Sequence, residues 1–346
     1  MRYARVAAHI FNTPLLIEPR RLLPITNYLL GRMQGEGPAA GGERLEKLEA
    51  RRREDPELMA TAQSGRSEYW GPIVAGGIAI VSITGELVHR AGGVDAESGL
   101  LSYVDIEEQL DAALADPMVR GILLEIDSPG GEAAGAFTLA DKVYNARTAK
   151  PIWALANEGA ASAAYAIACA CERVLLPESG HVGSIGVIWQ ALDQSRLDKA
   201  AGLQYAVIQY GARKNDFNPH YPISQDALAW ATAEVDRLGE QFVALVARNR
   251  GLDPAAVRAT EAGLRFGPAA VESGLADEIL DPPGAGETLV TKAAARLAVA
   301  MQTRFTGGLA APAAARNPNP NQGASSMTKP EETKAAGGAP VEPAAE

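Results

Sequence analysis

Two cysteines and four histidines in 346 residues leave little material for a disulfide scaffold or a metal centre. Cys169 and Cys171 stand two apart in a run of small residues. That spacing turns them to different faces of a helix, which suits core packing better than a bridge or a metal site. No apolar run reaches the ~20 residues a spanning helix needs, and the first twenty residues lack the continuous apolar stretch of a secretory signal. A cytoplasmic address without a membrane partner is therefore the default. Basic charge is also short: 32 Lys and Arg face 42 Asp and Glu, for a formal charge of −10. With the arginines scattered, nucleic-acid binding is disfavoured.

What is present is core-forming material, 47% of the chain being hydrophobic, enough for one large domain or two ordinary ones. Three segments differ in character. Residues 1–75 read as an appendage, with an apolar arm around Pro14 to Leu30, a Gly/Pro/Ala linker from Gly35 to Gly42 and a charged helix from Glu43 to Met59. Residues 76–282 read as the compact domain. Residues 283–346 begin with a helix that aligns Leu289, Ala293, Leu297 and Met301, then pass into an Ala/Pro/Gly/Asn-rich tail expected to be disordered.

Within the compact domain, buried strands alternate with helices. Ile78 to Ile83 and Val119 to Ile126 are continuous apolar runs, as in strands of a sheet covered on both faces. Tyr103 to Ala115 and Ala133 to Arg147 carry helical periodicity. Pro151 to Ala156 is another strand, turning at Glu158-Gly159 into a small-residue helix. Strand character returns at Gln204 to Gln209, and a long helix spans Ser224 to Arg250, closed by Gly251. The alternation predicts an α/β fold with right-handed crossovers.

Two stretches could carry chemistry. Ser162 lies at the start of the small-residue helix, where free backbone N–H groups and the helix dipole stabilise negative charge. Read alone, it is more readily an N-cap serine. The second stretch is Asp127-Ser128-Pro129-Gly130-Gly131, at the end of a buried strand. It is either a simple tight turn or a place where glycine lets a backbone N–H face a ligand as an oxyanion donor. This turn lacks the GxGxxG fingerprint of dinucleotide-binding proteins. No cofactor and no metal is expected.

The order DSPGG, ASAAY, VGSIGV, then Lys214 after a strand and a glycine resembles the signal peptide peptidase A family of serine peptidases. The resemblance covers roughly Gly76 to Leu280. The single copy of the domain and the N-terminal HIFNTPLLIEP arm look like that family's phage head maturation branch. It implies a Clp protease/crotonase-like fold of repeated β-β-α units: one catalytic domain with an N-terminal arm and a C-terminal tail that looks like a scaffold stub or a plain flexible end. It further implies a Ser–Lys dyad of Ser162 as nucleophile and Lys214 as general base, Ser184 helping to hold the lysine, and Gly131 and Ala163 as oxyanion donors. Scaffold, coat or portal proteins and the chain itself would be the substrates. The setting would be the host cytoplasm, within an assembling procapsid, and the enzyme a homo-oligomer, a ring in the single-domain members.

Alternatives stay open at this level. None of His9, His89, His181 and His220 matches a base of that family, but His181 near GSIGV and His220 near Lys214 leave a Ser–His arrangement possible, since geometry rather than order defines a triad. Lys199, on a charged helix face, reads as solvated. An acyl-CoA enzyme on the crotonase fold and a non-catalytic assembly factor remain competing functions.

Overall fold

Three apolar runs build the centre of the molecule. β3 (Ile78–Thr84), β6 (Gly121–Ser128) and β8 (Ile152–Ala161) lie side by side and parallel. The computed structural model describes residues 10–20, 22, 23, 26, 27, 72–74, 76–90 and 100–306. The linker and charged helix expected before residue 72 and the tail after residue 306 lie outside these.

Side-chain alternation along the strands sorts the core into two layers. Ala79, Val81, Ile83, Ile122, Leu124 and Ile126 enter the main core, which α1 (Tyr103–Ala115), α2 (Ala136–Ala146), α3 (Ala163–Ala168) and α5 (Gln225–Arg250) help to build. α4 (Ser195–Ala200) lies between α3 and α5 in the chain. Ile78, Ile80, Leu123, Trp153 and Leu155 face the other way. There α8 (Leu289–Thr306) covers them with Ala293, Ala294, Leu297 and Met301.

β8 divides its partners along its length. Trp153 to Leu155 pair with β9 (Arg173–Pro177), and Gly159 to Ala161 with β10 (His181–Gly183), both parallel. β12 (Leu264–Phe266) extends the sheet beyond β10, β2 (Ile73–Val74) beyond β3, and β13 (Glu278–Leu280) pairs with β9. Two short helices, α6 (Pro254–Arg258) and α7 (Gly267–Glu272), flank β12 in the chain.

A second, five-stranded sheet holds β11 (Ile188–Trp189), β1 (Pro14–Ile17), β7 (Gly130–Glu132), β4 (Glu86–Val88) and β5 (Leu100–Ser102) in that order. The fold is thus α/β, with the apolar arm's Pro14–Ile17 as an inner strand of a sheet.

Local chemistry explains the element boundaries. Ser102 Oγ accepts from the Val104 N–H at 3.1 Å, and Ser224 Oγ from the Ala227 N–H at 3.1 Å, as N-caps do. Gly251 ends α5 at φ 67°. α2 starts three residues later than the periodicity suggests because Gly135 holds φ 90°. The turn expected at Glu158-Gly159 is instead an irregularity inside β8: Glu158 has φ 76°, and the pairing with β6 shifts register there. Gln204 to Gln209, expected as a strand, is exposed and joins no sheet. Among the described residues no helix is long and apolar enough to cross a membrane.

Candidate active site

β8 ends at Ala161 and α3 begins at Ala163, so Ser162 alone makes the corner. Its backbone sits at φ 54°, ψ −118°, outside the regions an L-residue prefers. Such a conformation costs about 1–3 kcal/mol and persists only where the surroundings impose it. Two bonds do so here: the Ser162 N–H donates to the Gly183 carbonyl at 2.8 Å, and the Ser162 carbonyl accepts from the Ala166 N–H at 2.9 Å. The side chain does not cap the helix. Ser162 is only 1% exposed, and its Oγ is buried without a hydrogen-bond partner. The capping alternative therefore fails, leaving a buried hydroxyl without a hydrogen-bond partner among the described residues.

The Pro-Gly-Gly turn lies against this corner. Ser128 Oγ donates to the Gly85 carbonyl at 2.6 Å and accepts the Gly130 N–H at 3.2 Å, which fixes the turn. Gly130 holds φ 98°, and a methyl group there would fall 2.1 Å from the Leu16 carbonyl oxygen, 2.9 Å from the Ala163 nitrogen and 3.0 Å from the Ala161 oxygen. A methyl on Gly131 would fall 1.8 Å from the Leu87 oxygen. Only glycine fits either position.

The pairing with β1 orients the Gly131 amide. The Glu18 N–H donates to Pro129 at 2.8 Å and the Ala133 N–H to Pro14 at 3.1 Å, and Leu16 stands opposite Gly131 midway between them. Antiparallel alternation makes Leu16 and Gly131 a hydrogen-bonded pair. The Gly131 N–H is therefore turned to the Leu16 carbonyl, and that carbonyl and the Ala163 nitrogen both border the space beside Gly130.

Ser184 follows β10 directly. Since Gly183 pairs with Ala161, Ser184 and Ser162 leave neighbouring strand ends together. Ser184 is also at φ 54°, is 5% exposed and donates its N–H to Gly263 at 3.3 Å. Lys214 does not join them. It lies on a 3-10 turn, Ala212–Asn215, whose lysine side chain is exposed, and Ser162 Oγ has no hydrogen-bond partner among the described residues. The segment leading to it is open to solvent, with Ile208 and Tyr210 about fully exposed at 101% and 99%.

The described histidines are engaged elsewhere. His220 Nδ1 lies 2.9 Å from Asp198 Oδ2 and 2.9 Å from Gln194 Nε2, with its ring stacked on Tyr205 at 3.8 Å. His181 packs on Phe266 at 5.2 Å, and the His89 ring lies against Gly135. None bonds Ser162 Oγ. His9 lies outside the described residues, and Lys199 is exposed on α4.

Sequence reasoning placed Ser128 and Gly130 in a candidate turn but gave a role there to Gly131 alone, and it gave none to Leu16. The close approach of three backbone segments that makes them matter is a tertiary fact. Two buried tyrosines tether the surroundings: Tyr103 donates to the Glu132 carbonyl at 2.7 Å and Tyr165 to the Leu275 carbonyl at 2.9 Å. Burial pushes both hydroxyls well above the ordinary tyrosine pKa, so they remain donors. No cluster of three or more His, Cys, Asp or Glu suited to a metal occurs among the described residues.

Comparison with known proteins adds a family. The model of peptidase family S49 matches residues 145–321. The chain is 37% identical over 290 residues to the head-tail preconnector protein GP5 of Enterobacteria phage P21, covering 83% of this chain and 57% of that protein. It is 34% identical over 284 residues to the capsid assembly protease C of Escherichia phage lambda, covering 80% and 63%. It thus spans about three fifths of these relatives' length. A solved ClpP1 mutant from Listeria monocytogenes is 15% identical, covers 58% of this chain and 91% of its own, and superposes with a TM-score of 0.37.

Proposed function

This chain belongs to peptidase family S49, and from that premise we propose that it is a serine endopeptidase with Ser162 as nucleophile, acting during capsid assembly. The observation that carries the reading is the Ser162 corner: a buried, unpartnered hydroxyl on a strained backbone, beside the Gly130-Gly131 turn and the Ala163 amide. Attack on a peptide carbonyl develops an oxyanion, and the Gly131 and Ala163 N–H groups are the donors for it. Ser184, at the adjoining strand end, is placed to hold the base.

That base is Lys214, reaching the serine from a second copy of the chain. Within one protomer the serine has no partner and the lysine is solvent-exposed. The exposed apolar segment before Lys214, with Leu203, Tyr205, Val207, Ile208 and Tyr210, is the surface that a neighbouring copy would cover. Docking there would bury the ammonium group and favour the neutral form that can accept the serine proton. Ser–Lys pairs are an established variant of the triad. The relatives are named for head-tail connection and capsid assembly, and the substrates we propose for this chain are capsid scaffold, coat or portal proteins and its own tail, met inside an assembling procapsid.

The test is hydrolysis of an unstructured protein together with labelling by a serine-directed phosphonate. The assembled wild type should hydrolyse the protein and take the label at Ser162, and Ser162→Ala should do neither. Hydrolysis that survives in Ser162→Ala would overturn the assignment.

A further inference from the structure

We propose that Pro14–Ile17 is a built-in pseudosubstrate. It fills the groove in which the peptidase proposed above, on whose reading this inference rests, would hold an extended peptide, with Leu16 in the place of the residue whose carbonyl is attacked. β1 is sandwiched antiparallel between β7 and β11, the position of a peptide that adds to sheet edges through its main chain. Its Leu16 carbonyl is paired with Gly131 and shares with the Ala163 nitrogen the space beside Gly130, and those two amides are the groups proposed to receive the oxyanion.

The side chains alternate as those of a bound peptide would. Leu16 is wholly buried in the main core, whereas Leu15 and Ile17 point into a separate cluster with Ile10, Leu22 and Ile188. Asn12 pins one end, its N–H donating to the Gln190 carbonyl at 2.9 Å and its Nδ2 to the Phe217 carbonyl at 3.2 Å. Glu18 pins the other through Pro129. Ser162 is 1% exposed, and on this proposal a substrate reaches it when the strand leaves. A tethered occupant competes at an effective concentration that can reach the millimolar range. The substrate class follows from the same contacts: extended segments with leucine or a similar aliphatic residue at the attacked position and aliphatic residues on either side.

Leu15 and Ile188 stand opposite each other in the ladder, and the two native cysteines are buried, so a disulfide can lock the strand. The experiment uses the full-length Ser162→Ala chain carrying Leu15→Cys and Ile188→Cys, with a fluorescent peptide of residues 10–20 as probe. The reduced protein should bind the peptide and the oxidised protein should bind it at least tenfold more weakly, with binding restored by reductant. In the Ser162→Ala chain with its own cysteines, Leu16→Asp should bind the probe at least tenfold more tightly than the unaltered arm allows. A probe with Asp in place of its leucine should not bind. Equal binding in locked and unlocked forms, no binding in any form, or failure of the two cysteines to join on oxidation would overturn the proposal. Should Leu16→Asp fail to fold by circular dichroism, the cysteine pair decides alone. Because binding is read without turnover, loss of the peptidase reading would leave this result standing. Conversely, hydrolysis by the Ser162-containing cysteine pair that is indifferent to the lock would sink the pseudosubstrate alone.

Discussion

Ser162 combines a positive φ with a buried hydroxyl that has no hydrogen-bond partner among the described residues, and the proposed nucleophile role accounts for both. Removing either should stabilise the fold while ending turnover. Ser162→Ala should gain about 1 kcal/mol by deleting an unsatisfied buried group. Ser162→Gly should gain about 1–3 kcal/mol by relieving the backbone. Both should lose peptide hydrolysis by at least about a thousandfold, as loss of a serine nucleophile does. Denaturant unfolding beside a turnover assay checks this, and a Ser162→Gly protein less stable than wild type would contradict it. Cys169 shows the opposite case. Burial pushes its thiol up to about 12, outweighing the Asn249 hydrogen bond that lowers it. The folded protein should therefore resist alkylation near the ordinary thiol pKa of about 8.5. The stability tied to this thiol is complete below the ordinary range and is lost as pH rises toward about 12. At this scale the ordered motifs were legible as strand ends and turns, where Ser162, Gly131, Ala163 and Ser184 lie, while the roles of these residues are proposals. The sequence could not show that Gly130 faces the Ala163 amide, since that contact joins residues far apart in the chain.

Among the elements, the parallel strands were legible because β-branched and leucine runs buried on both faces read continuously. The ends of β8 were not, for two reasons. Glu158 absorbs a positive φ within the strand, and the small residues that suggest helix from Glu158 onward serve equally well in a packed strand up to Ala161. The apolar arm gave no sign of its destination because β1 has no sheet neighbour near it in sequence. α8 was visible as a stripe, but the face it covers was not. Leu297 is fully buried against the sheet, so Leu297→Ala should cost about 2–4 kcal/mol by calorimetry or denaturant unfolding. A change under about 0.5 kcal/mol, the range of neutral surface positions, would mean that α8 does not close that face. Gly131→Ala should be worse tolerated than any surface change. The added methyl meets backbone at 1.8 Å, so about 3 kcal/mol or more is expected, as in severe overpacking.

At the scale of the whole molecule, the proposed Ser–Lys pair is not joined within one protomer. Its serine is buried without a hydrogen-bond partner among the described residues, its lysine is exposed at the end of an apolar segment open to solvent, and Pro14–Ile17 lies between the strands proposed to hold a substrate. The sequence suggested the exposed segment as a strand. What it lacks is an edge to pair with, which a second copy would supply. The most direct measurement mixes full-length Ser162→Ala with full-length Lys214→Ala under conditions that exchange subunits, and follows hydrolysis of an unstructured protein. Each variant alone should be inactive. The mixture should recover about a quarter of wild-type activity, the share of head-to-tail junctions that bring an intact serine to an intact lysine in random equal assembly. No recovery despite demonstrated exchange, or full activity from a verified wild-type monomer, would contradict the account.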